Sequence, residues 1–108
     1  PPRIVYYPVE ARGVERELSL EEVKGVVRNI LLEKWNVRIS DEELTRVSAT
    51  VKNLLDLANK RDFYIKVIEE ASKAFMERRI SRSAYVSLIR RYQDKLIEVE
   101  KQIAMVRV

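Results

Sequence analysis

The chain reads as a mainly α-helical bundle with a long antiparallel C-terminal helical hairpin, coiled-coil-like in its patterning, and a short N-terminal extended arm or β-hairpin. Three observations predict this. From Asp41 to Val108 there are 68 residues without a Gly or a Pro, so nothing there breaks a helix outright. Apolar residues recur through that stretch at alternating steps of three and four, which is one face of a helix. Upstream, a Ser is twice followed three residues later by a Glu with apolar residues on either side, the start signal of a helix.

Taken in order, residues 1–18 form an arm and residues 19–108 a helical domain. In the arm, Ile4, Val5, Tyr6, Tyr7 and Val9 favour a strand, while Pro8 restricts it to an edge or an extended segment. Ala11-Arg12-Gly13 can turn the chain, and Val14 to Leu18 alternates apolar and charged residues as a returning strand would. Two strands alone are marginal in water, so such a hairpin has to lie on the helices or add to an edge in a partner.

The first helix is predicted over about residues 20–35. Ser19 caps it, Glu22 completes a capping box, and Leu18 with Val23 makes a hydrophobic staple. Val23, Val26, Val27, Ile30, Leu31 and Trp35 share one broad face, and Trp35 is expected to pack. Gly25 inside the helix costs about 1 kcal/mol against Ala and suggests a close helix crossing. Asn36 is placed to end the helix in the left-handed conformation.

Ser40, Glu43, Ile39 and Leu44 repeat the same starting device for a helix over about residues 41–79. Leu44, Val47, Val51, Leu54 and Ala58 keep the three-four rhythm, and Ile65, Ile68 and Phe75 resume it. Arg61 and Ser72 occupy slots that an apolar seam would fill. Asn59 followed by Asp62 offers a restart, so the segment is one long helix or two joined near Asn59.

The third helix is predicted over 82–106, with Ser81 as its cap and Ile80 and Tyr85 as its staple. Tyr85, Ile89, Tyr92, Leu96, Val99, Ile103 and Val106 form an unbroken heptad seam. At ~1.5 Å per residue the helix would span roughly 37 Å. A seam that long is expected to outrun the intramolecular core, which makes Ile89, Tyr92, Leu96, Val99, Ile103 and Val106 the candidate oligomer interface.

The segment from Ala74 through Arg78-Arg79-Ile80-Ser81 to Tyr85, continuing to Tyr92 and Leu96, resembles a short helical hairpin in which Ile-Ser opens the second helix and a Tyr follows four residues later. Such hairpins recur in archaeal coiled-coil proteins, cell-division scaffolds among them. They often carry Gly in the turn where this chain has Arg78 or Arg79. The resemblance implies the hairpin and no particular function.

Composition removes many chemistries. The chain has no His and no Cys, so common catalytic triads, disulfides and His- or Cys-based zinc sites are excluded. Gly13 and Gly25 are isolated and make no phosphate-cradling loop. Adjacent carboxylates such as Glu42/Glu43 and Glu69/Glu70 point ~100° apart on a helix. A non-enzymatic protein without cofactor or metal is expected. No run of eighteen apolar residues occurs, so no membrane span is expected. The absence of Cys and the charged content of 35% fit a cytoplasmic protein of a thermophile.

The net charge is +4, and its distribution is uneven. Residues 1–60 carry ten basic and ten acidic side chains, whereas residues 61–108 carry eleven and seven. Between Arg78 and Gln93 there are five arginines and no acid. Arg78, Arg79 and Arg82 surround the predicted turn; Arg90 and Arg91 lie off the seam, with Lys95 one turn beyond Arg91. Arginines without acids, next to serine hydroxyls and a helix N-terminus, suit a phosphate backbone. The blander reading is a solvated hairpin end whose arginines bond to the last carbonyls of the preceding helix.

Two functions follow as expectations. One is nucleic-acid binding without sequence preference through Arg78, Arg79, Arg82, Arg90, Arg91 and Lys95, in a homodimer or higher oligomer. The other is a scaffold that assembles with protein partners through its heptad helix and arm. Tyr85 and Tyr92 belong to the core on this reading, and Tyr6 and Tyr7 are the candidate base-stacking residues.

Overall fold

A computed structural model of the protein describes residues 17–106. The expected arm or β-hairpin falls almost wholly on residues 1–16, outside the described part. The described residues form three helices and no strand: α1 Leu20–Trp35, α2 Asp41–Met76 and α3 Arg82–Met105. The mainly helical architecture with a C-terminal antiparallel hairpin is therefore as the sequence predicts.

The local starts follow the capping chemistry. Ser19 Oγ accepts from the Glu22 N–H at 3.1 Å, and the Glu22 carboxylate accepts from the Ser19 N–H at 3.1 Å. At α2 the Ser half of the box is formed, with Ser40 Oγ accepting from the Glu43 N–H at 3.2 Å. Ser81 Oγ accepts from the Ala84 N–H at 3.1 Å and opens α3. α1 ends at Asn36 in the left-handed region, φ 50°, where Asn is the best tolerated residue after Gly.

α2 is one unbroken helix of 36 residues, which resolves the alternative near Asn59. At ~1.5 Å per residue it is about 54 Å long, and it sets the longest dimension of the molecule, 64 Å. α1 packs on its N-terminal half and α3 on its C-terminal half, and α1 and α3 do not touch. The two partners dock on different sides. Leu44 and Ser48 are buried near the start of α2, and Val67, Ala71 and Ala74 near its end. Ala71 lies 27 residues after Leu44, about seven and a half turns, and so on roughly the opposite side. The apolar stripe of α2 changes face along the helix because it serves two neighbours.

The hairpin is held by aromatic and polar contacts at fixed register. Phe75 of α2 and Tyr85 of α3 stack with centroids 4.5 Å apart and planes 8° from parallel. Tyr64 and Tyr92 meet at 5.7 Å, tilted by 59°. Ser72, one of the two polar interruptions of the seam, donates to the Ile68 carbonyl at 3.0 Å and lies 3.5 Å from the Tyr85 hydroxyl. Its single proton is committed to Ile68, so Tyr85 is the donor in that pair. Arg61, the other interruption, has Nε 3.8 Å from the Glu100 carboxylate across the hairpin. The two polar slots are thus matched by α3 and help fix which residues face one another.

The heptad seam of α3 lies on α2. Tyr92 and Val99 are buried, with Ile89, Leu96, Ile103 and Val106 half-buried. Tyr92 and Val99 are therefore turned toward α2, while the other four positions of the seam keep part of their surface exposed.

Three further positions depart from expectation. Trp35 is 66% exposed and does not pack. Ser48 is fully buried and its hydroxyl has no hydrogen-bond partner among the described residues. A Cβ added at Gly25 would meet nothing within 4 Å, so no helix crosses there among the described residues. Gly25→Ala is accordingly expected to stabilise the protein by about 0.5–1 kcal/mol, because Ala loses less backbone entropy on entering a helix. A urea denaturation series on both proteins checks this, and an unchanged midpoint would mean that the face at Gly25 is covered.

At the α1 end, Lys52 Nζ bonds to Asp56 at 2.8 Å and lies 3.9 Å from the Glu17 carboxylate. The hydrogen bond to Asp56 raises the Lys52 pKa above its ordinary value, against the opposing effect of desolvation. The tie is therefore complete below the ordinary lysine range and is lost only as pH rises beyond it.

Candidate nucleic-acid interface

The basic cluster sits at the far end of the molecule from α1, around the α2–α3 turn. The turn itself is a Schellman motif: the Arg79 N–H donates to the Ala74 carbonyl at 2.8 Å and the Arg78 N–H to the Phe75 carbonyl at 3.0 Å. This motif places one residue in the left-handed region, and here that residue is Arg78, φ 60°. Gly holds such a position at no steric penalty, whereas a residue with a Cβ loses roughly 1–2 kcal/mol. Arg78→Gly should therefore raise folding stability by about 1 kcal/mol while removing one positive charge from the tip. Thermal melts read the first effect and oligonucleotide titration the second. A variant that melts lower than the parent would contradict the reading.

The end of α2 and the start of α3 have opposite electrostatic character. The carbonyl end of α2 is favourable to cations, and Arg78, Arg79 and Lys73 lie around it. The N–H end of α3 is favourable to anions, yet its first turn contains no acid. α1 begins with Glu21 and Glu22, and α2 with Asp41, Glu42 and Glu43. At α3 the corresponding first residue is Arg82, which adds to the positive end instead of offsetting it.

The structure divides five of the six expected residues into two groups. On α3 at about 100° per residue, Arg82, Val86 and Arg90 run along one flank at intervals of one turn. All three are exposed, and so is Arg78 in the turn that precedes α3. Arg78, Arg82 and Arg90 form no ion pair among the described residues. Asp94, one turn beyond Arg90, bounds the patch.

Arg91 and Lys95 occupy the other flank. The Arg91 guanidinium lies 5.3 Å from the Tyr92 ring centroid, and Lys95 Nζ lies 5.9 and 6.0 Å from the rings of Tyr64 and Tyr92. These cations cap the pair of buried Tyr92 and half-buried Tyr64, a structural use of their charge worth about 0.5–1 kcal/mol each at exposed sites. Arg79 belongs to neither flank; its Nε is 3.5 Å from Glu77. The sequence spacing placed Arg90 and Arg91 in one cluster, and the helix turns them apart.

Sequence reasoning missed a second basic feature at the opposite end. Arg28 of α1 and Arg38 of the α1–α2 connection line a shallow cavity of about 230 Å³ floored by Leu31, Leu32, Val37, Ile39 and Leu44. No local pattern joins residues 28 and 38; only the turn at Asn36 brings them together.

Among the described residues, no cluster of three or more acidic side chains is arranged to hold a metal ion, and no helix is long and apolar enough to cross a membrane. No family model matches the chain, and no curated protein or solved structure gives a significant match. The fold and the site together define a class only: a helical-hairpin protein on one long spine, with an arginine-rich tip.

Proposed function

We propose that this is a non-enzymatic, intracellular helical protein that binds nucleic acid through the tip of its C-terminal hairpin, without sequence preference. The observation that carries the reading is the flank of Arg78, Arg82 and Arg90. Three exposed arginines without ion-pair partners among the described residues lie near an acid-free helix N-terminus, and one of them keeps a strained backbone conformation that Gly would relieve. Strain retained at a charged surface position is characteristic of residues kept for binding. Guanidinium groups suit phosphate oxygens, and Arg82 and Arg90, two turns apart on one flank, can engage a backbone whose phosphates carry no sequence information.

The test is a fluorescence-anisotropy titration with single- and double-stranded oligonucleotides of mixed sequence, at low and high salt. Binding that weakens steeply with salt and is indifferent to sequence supports the reading; no binding at low salt removes it.

A second reading, a scaffold that engages proteins, is favoured by a different observation: the exposed apolar face of α1 and α2 described below. Tyr92 and Val99 of the seam are already buried within the chain, which favours that other face for assembly. Apolar docking there would be nearly insensitive to salt, which separates the two readings in one titration.

A further inference from the structure

The apolar surface between α1 and the first half of α2 is a feature that the hairpin tip does not explain. Leu18, Val26, Ile30 and Trp35 form one side and Val51 and Leu55 the other, around a groove of about 290 Å³ lined throughout by apolar residues. Val26 is 53% exposed and Ile30 42%. Among the described residues this end is a single pair of helices, whereas a stable helical layer buries its apolar stripe against a further element.

The chain itself leads into the groove. Leu18 is part of its wall, and the Glu17 carboxylate lies 3.9 Å from Lys52 of α2, so the backbone arrives at α1 from beside the groove. Sixteen residues precede Glu17, and they include the charge-free run Ile4-Val5-Tyr6-Tyr7-Pro8-Val9. β-branched and aromatic residues of this kind suit an extended segment laid on an apolar surface. The nine residues from Val9 to Leu18 span up to about 30 Å when extended. The groove runs beside α1, which is about 24 Å long at ~1.5 Å per residue. The run can therefore reach any part of it. The connecting residues Glu10, Arg12, Glu15 and Arg16 are charged and fit a solvated return.

We propose that the groove between α1 and α2 is the seat of this chain's own N-terminal segment, residues 4–9, which supplies the third apolar layer at this end of the molecule.

Trp35 is the only tryptophan and lies at the groove, so it reports directly. The full chain and its Tyr6→Asp/Tyr7→Asp variant are compared by tryptophan emission, iodide quenching and sedimentation. A seated segment gives a shielded Trp35 in the parent, a red-shifted and more readily quenched Trp35 in the variant, and the same mass for both. A parent Trp35 quenched as freely as tryptophan in water, and unchanged in the variant, overturns the proposal. So does shielding that grows with protein concentration and survives the substitution, which assigns the groove to a second copy.

A second measurement holds even where the double substitution unfolds α1. The chain lacks Cys, so Val5→Cys combined with Ile30→Cys tests proximity without background. Under mild oxidation this pair should close within one chain, faster than Val5→Cys combined with Ser87→Cys at the distant tip. Equal rates, or a covalent dimer as the main product, overturn the proposal.

Discussion

Replacing Tyr92 by Ala is expected to destabilise the monomer by about 4 kcal/mol, the usual magnitude for removing a buried aromatic ring. Tyr92 is 2% exposed, its ring meets Tyr64 at 5.7 Å, and Arg91 and Lys95 lie over it. The substitution removes the ring and its aromatic pairing and deprives the two cations of one partner. For a domain of this size the loss corresponds to some 15–30 °C of Tm, a large part of the roughly 5–15 kcal/mol that folded proteins possess. Calorimetry on the parent and on Tyr92→Ala checks it. The result also decides what the heptad seam is for. A seam that met a second chain would give Tyr92→Ala a lower sedimentation mass and only a small change in Tm. A seam that lies on α2 gives the reverse, and the packing of Tyr92 and Val99 on α2 makes that the expected outcome.

The ambiguity about the seam had a physical source. A heptad repeat states that one face of a helix is apolar, but not which helix covers it. Tyr85, Ile89 and Tyr92 would look the same facing α2 or a partner. The balance was tipped by the length of α2, and the sequence left that length open because Asn59 and Asp62 imitate a helix start. Ala58 and Phe63 even flank them as a staple would, yet α2 runs through as one helix. Arg61 and Ser72 looked like defects of the α2 stripe. They are polar slots met by Glu100 and Tyr85, which only the folded hairpin reveals.

Caps and turns were the most legible features, since Ser19, Asn36, Ser40 and Ser81 act on backbone groups within a few residues. The readings of Trp35 and Gly25 both assumed a complete layer around α1, and among the described residues only α2 packs there. The candidate site was half legible. Charge density along the sequence located the tip, but it could not show that Arg90 and Arg91 turn to different flanks. Nor could it show that Arg78 takes the left-handed position, because Glu77, Arg78 and Arg79 were each possible residues for the end of the helix.

That division of the arginines changes the quantitative expectation for binding. If all six basic residues neutralised phosphates on duplex DNA, log K would fall against log salt with a slope of about −5.4. Contact through the flank of Arg78, Arg82 and Arg90 alone gives about −2.7, or roughly a 40-fold loss of affinity between 50 and 200 mM salt. Arg82→Glu/Arg90→Glu is expected to abolish measurable duplex binding, because it replaces two attractive contacts with repulsive ones on a surface of three. Arg91→Gln/Lys95→Gln is expected to leave the slope near −2.7 and to act on stability instead, through the lost contacts with Tyr64 and Tyr92. The pair of variants separates a phosphate-binding flank from a general effect of net charge, since both remove positive charge from the same helix. Equal weakening by the two would mean that binding follows net charge alone, and the flank would lose its claim as the site. Salt-dependent anisotropy on these two variants therefore tests the geometry of the tip as well as its function.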